Sequence, residues 1–406
     1  MERQSVRKPR VVHLSGDFPD PVNTFKTPVI RSLIELTSDR FEHQVYSINR
    51  QSPGIFGLLY TSLRQREFSA LRIEPTPFPW GTSLTYAAPG RGIFHATMLK
   101  KLGIWLAENL AKKGRPDLLV GHKLTIEGIA IAHAARVLGI PYAITIQGNT
   151  DSRILAARPD LRRLLGRVFH EAAVVVPFTP WALAAAEKHL YPRTAPTFLI
   201  PCPTDMDEIA LPIADGDVLL TVFNLWNYRG KNLPGMVRAM QLLQRDDATV
   251  RLSVIGGGTE QEIAECRTLS SNVIGIAFEG AMDRITLHHR MRRAKGLVLP
   301  SLRESFGLVF TEALMAGLPI VYPAGTGIDG YLEGLPFAIR VDPRNPAAIA
   351  HAMQYIYRHE NELKDALAQW QTTAEARAFT RREIAKRYSA ALFAALEANK
   401  GSLSFQ

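Results

Sequence analysis

Pro300-Ser301-Leu302-Arg303-Glu304-Ser305-Phe306-Gly307-Leu308-Val309-Phe310-Thr311-Glu312-Ala313-Leu314-Met315-Ala316-Gly317-Leu318-Pro319 is the stretch on which the fold turns. The apolar run Gly296 to Leu299 before it reads as a strand, Phe310 to Ala316 as a helix, and Pro319 to Tyr322 as the next strand. Strand, loop, helix and strand in that order make a crossover unit of a parallel sheet. Glu304 falls in the loop and Glu312 on the helix, eight positions on. Phe310, Ala313 and Leu314 surround Glu312 with apolar neighbours, so an ionised carboxylate there needs a partner, and sugar hydroxyls are suitable donors. The competing reading makes Glu304 a helix cap and Glu312 a core-edge residue bonded to backbone. Amides around Phe306, Gly307 and Leu308 open the helix and are placed to hold a phosphate.

The same alternation extends in both directions. Val218 to Phe223, Val250 to Ile255 and Val273 to Phe278 read as strands, with helices at Pro234 to Leu243 and Ile285 to Ala294. Upstream, Val11 to Leu14, Val45 to Ile48, Leu118 to Val120, Tyr142 to Ile146 and Ala173 to Val176 are strand-like, and Ile126 to Leu138 is helical. The expected architecture is α/β: two doubly wound parallel sheets facing across a cleft. Residues 1–203 form the first domain, 204–216 the Pro- and Asp-rich linker, and 217–375 the second domain. A C-terminal helix within 376–406 is placed to cross back to the first.

Composition narrows the class. The 406 residues are 46% hydrophobic and 21% charged, the balance of a globular chain. Two cysteines exclude a disulfide scaffold and a Cys-rich zinc module. No apolar run reaches the ~20 residues of a membrane span, and MERQSVRKPR lacks a signal-peptide core, so a cytoplasmic protein is expected. The net charge of +10 is unevenly placed. Residues 1–205 carry 26 Lys and Arg against 16 Asp and Glu, whereas the remainder balances. A basic first half suits an anionic partner. No helix-turn-helix, zinc-finger or aromatic-stacking pattern accompanies the charge, which argues against nucleic acid.

Two further loops carry candidate chemistry. Val254-Ile255-Gly256-Gly257-Gly258-Thr259 joins a strand to a helix and allows close backbone approach to a ligand, with Gly257 and Gly258 as donor-binding candidates. Packing accounts for such glycines equally well. Arg229 and Lys231, in Tyr228-Arg229-Gly230-Lys231-Asn232, follow a strand and precede a helix, where two cations can hold a diphosphate.

Together these motifs resemble glycosyltransferase family 4, of the GT-B fold. The resemblance runs through Pro300–Leu308, Glu312–Pro319, the Gly256–Gly258 turn, Arg229–Asn232, Gly325–Gly330 and Pro201–Asp205, and is strongest over 218–345. It implies a retaining transfer of a hexose from a UDP- or GDP-sugar, with no cofactor or bound metal. By the same resemblance Glu304 lies by the donor hexose and Glu312 by the ribose. Arg229 and Lys231 meet the diphosphate, and Gly307 and Leu308 supply amides.

The first half departs from that pattern. The loop Ser15-Gly16-Asp17 holds one glycine where the family carries two, leaving Gly16 as the donor-binding candidate. Gln147 stands where a histidine is usual, and an amide orients hydroxyls but does not titrate near neutrality. His122, at another strand end, is the remaining candidate imidazole, the competing reading being a satisfied structural histidine. The acceptor expected for this half is a glycan, glycolipid or other lipid-linked or anionic molecule. Two segments suggest contact with an anionic membrane surface at its inner face: Gly54–Tyr60 with Leu63–Arg66, and the arginines 153, 158, 162, 163 and 167 interleaved with Leu161, Leu164, Leu165 and Phe169; the competing reading of each alone is an ordinary amphipathic helix packed on the sheet. The alternatives are a catalytically silent sugar-nucleotide-binding protein of the same fold, or a sugar-nucleotide isomerase.

Overall fold

A computed structural model describes residues 7–51, 72–87, 95–246 and 249–403. The chain divides into two compact units. One runs to Phe178 and adds Ala182–Ile200 and everything from Ile384 onward; the other comprises Thr179–Trp181 and Pro201–Glu383.

The first unit is built on β1 (Arg10–Ser15), β2 (Glu42–Gln51), β3 (Arg72–Phe78), β4 (Gly81–Ala87), β5 (Leu118–His122), β6 (Tyr142–Ile146) and β7 (Val174–Pro177). Their order is β3-β4-β2-β1-β5-β6-β7, all parallel except β3, which pairs antiparallel with β4. Val11, Val12, Leu14, Leu118, Leu119, Ile144, Val174 and Val175 are fully buried, as strands covered on both faces require. The order reverses between β1 and β5, which pair directly.

The second unit holds β8 (Leu219–Val222), β9 (Leu252–Ile255), β10 (Ile276–Gly280), β11 (Gly296–Val298), β12 (Ile320–Pro323) and β13 (Ala338–Val341). All pair in parallel, in the order β10-β9-β8-β11-β12-β13. In sequence order this is 3-2-1-4-5-6, the doubly wound arrangement, with its reversal between β8 and β11. Leu219, Leu220, Leu252, Leu297, Val298, Ile320 and Val321 are fully buried.

The stretch read as a linker is not a free tether. Residues 201–218 hold no regular element, yet they are strapped along the second unit. Ala210 N donates to Met315 O at 2.8 Å, and Gly216 N to Glu360 Oε1 at 2.6 Å. Lys364, almost fully buried, donates from Nζ to Ile213 O at 2.6 Å and to Glu360 Oε1 at 2.6 Å. Residues with no periodic pattern are here held by buried polar side chains. The last helix, Arg381–Leu403, passes into the first unit from Ile384, and its Phe393 ring lies 4.6 Å from that of Phe41.

Among the described residues no helix is long and apolar enough to cross a membrane. Gly54–Tyr60 and Leu63–Arg66 lie outside the described residues. In the arginine-rich helix Arg162–Glu171, Leu165, Val168 and Phe169 are buried in the first unit, as is Leu161 just before it. That apolar face belongs to the core and is not offered to lipid; of the five arginines, Arg153, Arg162, Arg163 and Arg167 are exposed.

Candidate functional site

The reversal between β8 and β11 brings two loops together in the second unit. Leu302 N donates to Gly230 O at 2.9 Å, and Asn232 Nδ2 to Pro300 O at 3.0 Å, stitching the loop after β8 to the loop after β11. Over this stitching Lys231 Nζ forms an ion pair with Glu304 Oε2, with both side chains mostly buried. Thr326 fixes the Glu304 backbone from the loop after β12: Glu304 N donates to Thr326 Oγ1 at 3.1 Å, and Gly327 N to Glu304 O at 3.0 Å. Arg229, exposed, lies over the Tyr228 ring at 5.2 Å and donates from Nε to its hydroxyl at 3.0 Å. The Tyr228 hydroxyl donates in turn to Glu265 Oε2 at 3.2 Å.

Gly307 caps the helix Leu308–Met315 in the left-handed region, with φ +80°, and no side chain caps the opening turn. A Cβ at Gly307 would lie 2.6 Å from the Phe310 ring, so the turn demands glycine. Phe306 is buried, leaving only its backbone to meet a ligand. Lys231, Glu304 and the uncapped amides at Gly307 and Leu308 thus occupy one loop region. This arrangement can hold an anion and hydroxyls at once.

Three expectations change. Glu312 accepts from Thr204 Oγ1 at 2.6 Å, so its partner is a side chain of the strap and not backbone. Burial raises the Glu312 carboxyl above its ordinary range, with the Thr204 hydroxyl and Arg284 opposing. Gly257 and Gly258 are explained by packing. Leu225 N donates to Gly257 O at 2.8 Å, and a Cβ on Gly258 would sit 2.9 Å from the Leu225 Cβ. The helix Glu260–Ser270 that follows is closed by a capping box, which takes the Thr259 and Glu262 amides of its first turn. His122 is fully buried. His13 Nδ1 lies 3.0 Å from His122 Nε2, His13 Nε2 2.9 Å from His43 Nδ1, and Thr37 Oγ1 2.9 Å from His43 Nε2. Burial drives all three imidazoles down, His43 to about 4 and His122 to about 3. His122 is a neutral structural histidine in a sheet-spanning chain.

Gly16, in the first unit, spends its amide on Glu127 Oε1 at 2.6 Å, so it has no free N–H for a phosphate. Around the reversal between β1 and β5 the structure gathers, beside Gln147, residues that sequence reading passed over. Lys123 Nζ meets Asp17 Oδ2 at 2.6 Å, from a backbone at φ +129° that a non-glycine rarely adopts. Asp151, buried, accepts from Thr125 N at 2.9 Å and Thr125 Oγ1 at 2.7 Å. Gln147 donates its own amide to Asp151 Oδ2 at 3.4 Å, and its Nε2 is buried with no partner. Burial raises Glu127 to about 8. The only sequence signal for this cluster was position: Lys123 immediately follows a strand end at the point where the sheet order reverses.

Each unit is a doubly wound α/β domain, and the second carries the Lys231–Glu304 pair and the uncapped helix start at its sheet reversal, where such sheets bind ligands. Residues 210–374, within the second unit, match the family model of Glycosyl transferases group 1. A D-inositol 3-phosphate glycosyltransferase of Frankia alni is 31% identical over 153 residues, 36% of this chain and 37% of that protein. The match therefore spans little more than a third of that relative's length. Among solved structures, the α,α-trehalose-phosphate synthase (UDP-forming) of Burkholderia xenovorans, in complex with glucose-6-phosphate, superposes with a TM-score of 0.66 at 16% identity, covering 94% of this chain and 100% of that one. Sucrose-phosphate synthase from Thermosynechococcus elongatus gives 0.66 at 20% identity, covering 96% and 100%. The chain has the two-unit α/β fold of these glycosyltransferase structures, GT-B.

Proposed function

We propose that this protein is a retaining glycosyltransferase that moves a hexose from a nucleoside-diphosphate sugar to a hydroxyl of a glycan or glycolipid. The observation that carries this reading is the Lys231–Glu304 pair at the β8/β11 reversal, beside the uncapped helix at Gly307. Lys231 is set to face the pyrophosphate, and Arg229, exposed on the same loop, to join it. Glu304, freed from Lys231 when phosphate takes the ammonium, would accept hydroxyls of the hexose. The leaving diphosphate gains charge as the anomeric C–O bond breaks, and fixed cations and amides stabilise that charge. The acceptor oxygen bonds to the anomeric carbon, and its proton leaves with the diphosphate. This division of labour gives the protein's own cations the role that a metal could otherwise take. A family 4 assignment, a cytoplasmic location and a peripheral position at the membrane through the exposed arginines of the first unit belong to the same proposal.

The test is release of nucleoside diphosphate from UDP-, GDP- and ADP-sugars with and without mixed saccharide acceptors, followed by NMR of the product's anomeric proton. Turnover with the donor's configuration kept is the expected result. Binding of sugar nucleotide without turnover in any acceptor mixture would favour the silent binding protein, and acceptor-independent conversion of the sugar would favour the isomerase.

A further inference from the structure

The backbone at Glu304 is held by the loop after β12, and that loop is held in turn from outside the site. Thr326 Oγ1 donates to Glu304 O at 2.5 Å, and Gly327 N donates to the same carbonyl at 3.0 Å. A Cβ built on Gly327, whose φ is +68°, would lie 3.3 Å from Glu304 Cγ, so this residue also packs against the Glu304 side chain. The other end of Gly327 faces Trp181, whose Nε1 donates to the Gly327 carbonyl at 2.8 Å. Trp181 belongs, with Thr179 and Pro180, to the second unit. Pro180 meets the same loop further on: a Cβ on Gly330, at φ +90°, would sit 2.7 Å from the Pro180 Cβ.

The remaining bonds of the loop fix its ends. Gly325 N donates to Asp329 Oδ2 at 2.5 Å, and Arg340 Nε to Asp329 Oδ1 at 2.8 Å. Between those ends the indole sets the direction of the Gly327 carbonyl. Gly327 is buried, and a buried carbonyl stripped of its donor turns to seek another. Any such turn moves the residue on which Glu304 rests.

We propose that Trp181 is a positioning residue for Glu304. Its N–H orients the Gly327 carbonyl, Gly327 and Thr326 thereby keep their bonds to the Glu304 backbone, and the carboxylate stays within reach of Lys231. Trp181 does this without touching substrate, from 146 positions away in sequence. Its consequence for rate rests on the transferase reading; its hold on the loop does not.

The experiment compares wild type with Trp181→Phe, which keeps a ring and loses the N–H, and Trp181→His, which restores a ring N–H. Backbone hydrogen exchange of the full chain, without substrate, is read over residues 325–331. Exchange there should rise about tenfold in Trp181→Phe, the effect of one lost buried hydrogen bond, and return to within about threefold in Trp181→His. With sugar nucleotide, kcat should fall about tenfold in Trp181→Phe while the donor KM stays within about threefold, because Lys231 and Arg229 stand on another loop. Thr326→Val cuts the next link of the same bracket, so Trp181→Phe with Thr326→Val should lose no more rate than the worse single variant. If Trp181→Phe does not fold, Trp181→Met, which also lacks the donor and fills space flexibly, takes its place. Unchanged exchange over 325–331 overturns the proposal, as does a kcat within about twofold of wild type or a double variant whose losses multiply. A wild type that releases no nucleoside diphosphate from any sugar nucleotide, with exchange responding as expected, would instead count against the transferase reading alone.

Discussion

Lys231 and Glu304 meet across the line where the order of the second sheet reverses, one from the loop after β8 and the other from the loop after β11. Neither loop could place its residue alone. The bonds Leu302 to Gly230 and Asn232 to Pro300 bring the two backbones into register first. In the proposed reaction a diphosphate competes with Glu304 for the ammonium, so the pair is a preformed site in which Glu304 holds the cation in place until substrate arrives.

Replacing Lys231 by Ala should therefore lower kcat by about 10²–10³, the usual loss for one preorganised contact to developing charge. Glu304→Gln should cost a comparable factor, because Lys231 loses the partner that orients it and the hexose loses an acceptor. Initial rates of nucleoside-diphosphate release at saturating donor measure both, with circular dichroism to confirm folding. Near-wild-type turnover in Lys231→Ala would remove it from the site.

Gly256 tests the scaffold behind that site. Its φ is +155°, and a Cβ there would lie 1.7 Å from the Phe223 carbonyl oxygen, at the start of the loop that carries Arg229 and Lys231. Backbone oxygen cannot swing aside as a side chain can. Gly256→Ala should destabilise the second unit by on the order of 3 kcal/mol and raise the donor KM. Thermal unfolding and donor titration read the two effects, and an unchanged melting profile would show that the turn relaxes freely.

Much of the second unit was legible because its strands are short apolar runs between helical patterns, and because Arg229, Lys231 and Glu304 stand at strand ends. What periodicity could not show was partnership. Glu312 pairs with Thr204, 108 positions away, in a stretch that looked like linker. The edges of both sheets were also hidden. β3 is the sequence RIEPTPF, whose Pro75 and Pro77 argue against a strand except at an edge, where one side needs no ladder. β4 is largely polar, and β13 spans four residues with two of them outside the core. His122 left two readings open for a related reason. A strand-end histidine fits a site or a core in sequence, and only the fold reveals that the His13 ring stacks on it, with His43 next in the same chain of imidazoles. The cluster at Lys123, Glu127 and Asp151 depends on burial and backbone strain, neither of which single residues announce.

The buried histidines predict an acid limit. His13, His43 and His122 are all driven below the ordinary value of 6.5 by burial, His13 well below it, His43 to about 4 and His122 to about 3. Between those values the unfolded chain binds protons that the folded chain refuses, so stability is full above pH 6.5 and falls as pH drops. Each histidine can contribute a slope of up to about 1.4 kcal/mol per pH unit. Denaturant melts of the wild type at pH 7, 6 and 5 should show midpoints moving steadily down. His43→Gln, which keeps a polar contact to Thr37 but does not titrate, should flatten the slope; an identical slope would mean that His43 is charged in the native protein.

Glu127 works in the opposite sense and at higher pH. Its carboxyl is raised from 4.5 to about 8, by burial first, with Lys123 opposing and Asp17 assisting. Across that window the unfolded chain has released a proton that the folded chain keeps, so stability falls as pH rises and levels off above about 8. From pH 4.5 to 6.5 this trend is masked by the histidines; from 6.5 to 8 Glu127 titrates clear of those histidines. Glu127→Gln keeps an acceptor for Gly16 N and carries no charge at any pH. It should abolish the decline between pH 6.5 and 8, up to about 1.4 kcal/mol per pH unit, and be more stable than wild type at pH 8. Urea melts at pH 6.5, 7.25 and 8 compare the two proteins directly. Parallel curves would mean that Lys123 keeps Glu127 ionised in the fold.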